Sequence, residues 1–159
     1  MKLILLITIV LILAVIFTII LYRRRDNDIL MELVYWPGTG GNRGVTIYHF
    51  IVKNDGTLIS HYGLSRSYSD RLRTRNIIRS VQHREKITLS EEDFLYISGL
   101  ADEIVSGNSR MGVLANSIAI FIHDGNVYEN STAWSEPLFD LVVILFELTP
   151  LLDHGLWSS

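Results

Sequence analysis

The sequence predicts an α+β fold: an N-terminal single transmembrane helix, then a small antiparallel sheet of two hairpins with two helices packed on one face. Three observations predict it. Residues 3–22 are an uncharged apolar run, two Asp-Gly pairs each join a pair of strand-like runs, and two later segments open with helix-start signals. The order of strands, helix, hairpin and helix is that of helices gathered on one side of an antiparallel sheet.

The apolar run comes first. From Leu3 to Tyr22 only Thr8 and Thr18 are polar, and twenty helical residues at about 1.5 Å each match the roughly 30 Å of a bilayer interior. A buried core helix would show a polar stripe, and this run has none. A cleaved signal peptide needs small residues at its end, where this run meets Tyr22-Arg23-Arg24-Arg25. The division expected is therefore a transmembrane anchor over 1–22, a charged juxtamembrane connector over 23–28 and one α+β domain over 29–159. Arg23, Arg24 and Arg25 outweigh Lys2 and the α-amine, which orients the domain toward the cytoplasm in a single-pass membrane protein.

Ile29 to Trp36 reads as a strand ending at Pro37-Gly38. Val45 to Lys53 and Thr57 to Tyr62 flank Asn54-Asp55-Gly56, where glycine supplies the positive φ of a tight reversal. Ser65 to Lys86 reads as an irregular connection with a strand near Ile77 to Gln82. Ser90-Glu91-Glu92-Asp93 is a capping box, and Phe94, Ile97, Leu100, Ala101 and Ile104 follow at helical spacing until Gly107-Asn108. Ser117 to Ile122 and Val127 to Glu129 flank Asp124-Gly125 as the second hairpin. Ser135-Glu136-Pro137 opens the last helix, with proline in the first turn where its missing N–H costs nothing. Its body, LFDLVVILFEL, is apolar most of the way round. The sheet covers one side of such a helix, so something else must cover the remainder: the 91–105 helix or the C-terminal Leu151, Leu152 and Trp157, or alternatively a partner chain or the bilayer surface.

Several chemistries are excluded by residue type. The chain has no cysteine, which removes disulfides, a thiolate nucleophile and thiolate-zinc sites. Trp36-Pro-Gly-Thr-Gly-Gly-Asn-Arg-Gly44 resembles a phosphate loop in glycine content, but lacks the GK[ST] of a Walker loop and carries Arg43 where a dinucleotide fingerprint needs its third glycine. It also leads into a strand, whereas phosphate loops deliver the phosphate to a helix N-terminus. No GxSxG, HExxH or SxxK occurs.

Two constellations remain. If Asn54-Asp55-Gly56 is a three-residue loop, His49 falls opposite His61 on one sheet face, a pair able to share a metal. A two-residue loop places Phe50 opposite His61 and separates them. His123 and Asp124 of the second hairpin are further ligands that no spacing supports. The other constellation is electrical. Residues 66–86 carry Arg66, Arg71, Arg73, Arg75, Arg79, Arg84 and Lys86 against Asp70 and Glu85, a balance of +5, while 87–159 carry eleven acids against Arg110 alone, a balance of −10. The basic segment, with Arg71, Arg73, Arg75 and Arg79 as its interaction residues, suits an anionic lipid or an acidic protein partner. Nucleic acid is disfavoured, because residues 26–159 hold ten basic against seventeen acidic residues, a net −7.

The expected function is accordingly a non-catalytic binding or interaction module at the membrane surface, held to the lipid bilayer through residues 3–22 and using no cofactor. The alternative is a small membrane-tethered hydrolase using His49 and His61.

Overall fold

The computed structural model describes residues 8–18, 28–37, 46–65, 78–107 and 111–149. Among them are three helices and one antiparallel sheet of six strands. The helices are α1 (8–18), α2 (Glu91–Ser106) and α3 (Glu136–Glu147). The strands are β1 (Ile29–Trp36), β2 (Thr46–Lys53), β3 (Thr57–Ser65), β4 (Ile78–Thr88), β5 (Met111–His123) and β6 (Asn126–Ser135). The strand order is β4-β3-β2-β1-β5-β6, so β4 and β6 are the edges.

The N-terminal expectation is overturned. Among the described residues no helix is long and apolar enough to cross a membrane. The expected transmembrane helix, and with it the single-pass membrane localisation with a cytoplasm-facing domain, is corrected accordingly. Arg23, Arg24 and Arg25 lie outside the described residues.

The rest of the fold is α+β, with a larger sheet than two hairpins. β1 pairs with β2 on one side and with β5 on the other, which joins the hairpins into one sheet. β4 runs to Thr88 where an irregular connection was expected, and β5 begins at Met111, six residues before the expected start. Alternation along the strands gives each face its own core. Met31, Leu33, Tyr35, Tyr48, Phe50, Val52, Leu58, Ala119 and Phe121 face α2 and α3. Val34, Trp36, Ile47, Ile118, Ile120 and Ile122 form a second buried cluster on the face turned away from α2 and α3.

The helices start and stop as their capping residues dictate. Ser90 Oγ accepts from the Asp93 amide at 3.1 Å and donates to Asp93 Oδ2 at 2.6 Å, while Glu91, Glu92 and Asp93 sit at the positive end of the α2 dipole. Gly107, at φ 65°, ends that helix in the left-handed conformation. Ser135 caps α3, accepting from the Leu138 amide at 3.3 Å. α3 buries Pro137, Leu138, Leu141, Val142 and Leu145 between the sheet and α2, and Phe146 packs edge-on against Tyr35, Tyr48 and Phe50 at ring separations of 5.4, 4.9 and 5.1 Å. Its apolar surface is thus largely covered, with Phe139, Val143, Ile144 and Phe146 half-buried. Leu151, Leu152 and Trp157 lie outside the described residues.

Candidate functional site

The site grows from the β2–β3 turn. Gly56, at φ 76°, donates its N–H to the Lys53 carbonyl at 3.0 Å, and the Thr57 amide donates to Asp55 Oδ1 at 3.0 Å. Hydrogen bonds from the Thr57 hydroxyl and amide hold the Asp55 carboxyl below the usual carboxylate range. The loop therefore has three residues. Val52 pairs with Leu58, and three steps back along the ladder His49 lies opposite His61.

Continued across the sheet, that row reads Val34, His49, His61, Arg84, all on the face turned away from α2 and α3. The row beside it brings Glu32, Ile51, Ile59 and Lys86. Glu32 reaches diagonally to His49, with Oε2 2.7 Å from Nε2 and side-chain exposures of 19% and 12%. The two imidazole rings are 6.0 Å apart at 48°. His61, between His49 and Arg84, is pushed down to about 4 from the ordinary histidine value, first by burial and then by its two neighbours. It is a neutral ring at pH 7, sharing a strip with an oriented histidine-carboxylate pair.

That arrangement can orient an imidazole, because a carboxylate accepting from Nε2–H fixes the tautomer and leaves Nδ1 as the free nitrogen. It brings no hydroxyl nucleophile from the neighbouring strand, since Ser60 alternates onto the other face opposite Phe50 and Glu85. Among the described residues no three His, Cys, Asp or Glu side chains are grouped to hold a metal ion. His123 lies opposite Met31, on the helix side of the sheet, stacked on Phe121 at 6.5 Å and 3.6 Å from Asp124. It is not brought to the His49–His61 pair.

Of the basic residues, Arg66, Arg71, Arg73 and Arg75 lie outside the described residues, as does the glycine-rich stretch 38–44. Arg79 lies in β4, and Arg84 and Lys86 stand exposed along the same edge strand. Sequence reasoning missed Glu32. The signal was present, for Glu32 is the one charge in ILMELVYW and alternation assigns it to the face away from Leu33 and Tyr35. What lacked a signal was the β1–β2 pairing that delivers it to His49. Comparison with protein-family models, with curated proteins and with solved structures finds no match to this chain.

Proposed function

We propose that the protein is a non-catalytic binding module whose β4 edge takes an acidic segment of a protein partner. The observation that carries this reading is the exposure of Arg84 and Lys86, two residues apart on one side of an edge strand. An edge strand offers unpaired N–H and C=O groups to an incoming extended segment. Charged side chains along it select against a second copy of the same edge and for a segment of opposite charge. The basic residues of 66–79 continue the same sign toward the start of β4.

The test is titration of the full chain with a glutamate-rich peptide, followed by calorimetry at two salt concentrations. Saturable binding that weakens with salt and is lost on Arg84→Glu with Lys86→Glu is expected. No binding by the unaltered chain, or equal binding by the reversed variant, contradicts it.

The Glu32–His49 contact favours a second reading, a hydrolase in which His49 acts as base. It requires that His49→Ala abolish hydrolysis of activated esters at unchanged melting temperature. Activity that survives this substitution removes the reading.

A further inference from the structure

The outer side of α2 takes no part in the core or in the sites above. Glu92, Leu95, Tyr96, Gly99, Asp102 and Glu103 recur at the three- and four-residue spacing of one helix side and are all exposed, while Ile97, Leu100, Ala101 and Ile104 occupy the buried side. Leu95 is 62% exposed and Tyr96 50%. Gly99, one turn on from both, carries no side chain, and a Cβ added there would meet nothing within 4 Å. Glycine in a helix interior is less stable than alanine, and no packed neighbour in the fold requires this one. Two raised apolar side chains therefore stand beside a bare turn, the relief into which a side chain of a second helix seats.

The charges around that relief share one sign. Glu91 and Glu92 stand one turn before the apolar pair and Asp102 and Glu103 one turn after Gly99, all four exposed. Glu91 and Glu92 suit the positive start of the helix dipole. Asp102 and Glu103 lie toward its negative end, where acidic side chains are disfavoured, and no basic residue of the last turn offsets them. α3, packed beside α2, adds Glu136, Asp140 and Glu147 and likewise carries no basic residue.

We propose that this side of α2 is a docking surface for a basic amphipathic helix of a protein partner. Apolar residues of that helix seat on Leu95, Tyr96 and the Gly99 notch, and its Lys or Arg side chains reach the acids at either end. From Glu92 to Glu103 the surface runs about 16 Å, a length over which a helix presents anchors at i, i+3, i+4 and i+7. Charge complementarity selects this occupant. A second copy of the same surface would set acid against acid, and anionic lipid or nucleic acid would meet the same repulsion. An extended segment gains nothing here, because a helix side has no unpaired backbone groups to offer it. Arg84 and Lys86 lie on the sheet face turned away from α2, so this surface is separate from the β4 edge and takes a ligand of opposite charge.

The full chain is titrated by calorimetry with a leucine-lysine peptide whose leucines follow helical spacing, and with a scrambled peptide of the same composition. Saturable binding of the first is expected, weakening between about 50 and 500 mM salt as the charges are screened, with no saturable binding of the second. Leu95→Ala with Tyr96→Ala should lower the affinity by about tenfold or more. Because both side chains are exposed and alanine favours helix, that variant should keep the melting temperature of the unaltered chain. Asp102→Lys with Glu103→Lys should also weaken binding and reduce its salt dependence. Arg84→Glu with Lys86→Glu, the variant that disables the β4 edge, should bind the peptide as the unaltered chain does, so failure here leaves the acidic-partner reading standing. No binding by the unaltered chain overturns the proposal. So do equal binding of the two peptides, full affinity in the Leu95→Ala, Tyr96→Ala variant, and dimerisation of the peptide-free chain that this variant abolishes, which would make a second copy the occupant.

Discussion

Two glycines show how much one methyl group decides at a given place. At Gly63, a Cβ would lie 2.1 Å from the Ser80 carbonyl oxygen and 2.6 Å from Ile78 Cγ2, where the β3–β4 register shifts between Tyr62 and Gly63. Backbone cannot yield as a flexible side chain would, so Gly63→Ala should lose on the order of 2–3 kcal/mol in urea unfolding. Gly99, inside α2, meets nothing within 4 Å. There the substitution to alanine removes a conformational cost in a helix interior and should gain up to about 1 kcal/mol. The same residue scale sets the acid response. His61 titrates near 4 in the fold and near 6.5 when free. Between those values the unfolded chain binds a proton that the folded chain refuses, so this contribution to stability is full above pH 6.5 and is lost as the pH falls toward 4. Unfolding midpoints at pH 7, 5.5 and 4.5 should fall in that order, and His61→Gln should flatten the decline. An unchanged slope in the variant would remove His61 as its source.

At the scale of elements, the parts legible in the sequence were those with local chemical causes. Ser90 and Asp93 announce the start of α2 because the bonds that cap it lie within four residues. Ser90→Ala should therefore cost about 1 kcal/mol, read by thermal or denaturant unfolding. Asp124 and Gly125 announce a hairpin because both occupy positive φ, at 50° and 75°, as a tight two-residue turn requires. β4 was not legible beyond its first residues. In its sequence IRSVQHREKIT no described side chain from Ser80 to Thr88 is fully buried, so the strand lacks the apolar alternation by which strands are found. The His49–His61 pairing depended on one residue of loop length, which Asn54-Asp55-Gly56 alone left open and the Gly56 turn geometry settled. Glu32 joins His49 only through strand pairing, and pairing is a long-range property that no short motif announces.

At the scale of the whole molecule, the N-terminal run shows what hydropathy measures and what it leaves out. It counts apolar residues, whereas crossing a bilayer needs an unbroken helix of sufficient length, and among the described residues no helix is long and apolar enough for that. Charge segregation is the global property that survives. The +5 balance of 66–86 ends on an exposed sheet edge, and the −10 balance of 87–159 includes the acidic start of α2. Among the described residues, a sheet with apolar clusters on both faces leaves its two edges, β4 and β6, as the places where backbone groups remain to be paired. The basic one is the edge assigned to the partner, and hydrogen exchange tests that assignment most directly. On saturation with a glutamate-rich peptide, the amides of Ile78–Thr88 should slow while those of β6 keep their rates. Slowing confined to β6, or unchanged rates along β4 at saturation, would contradict it.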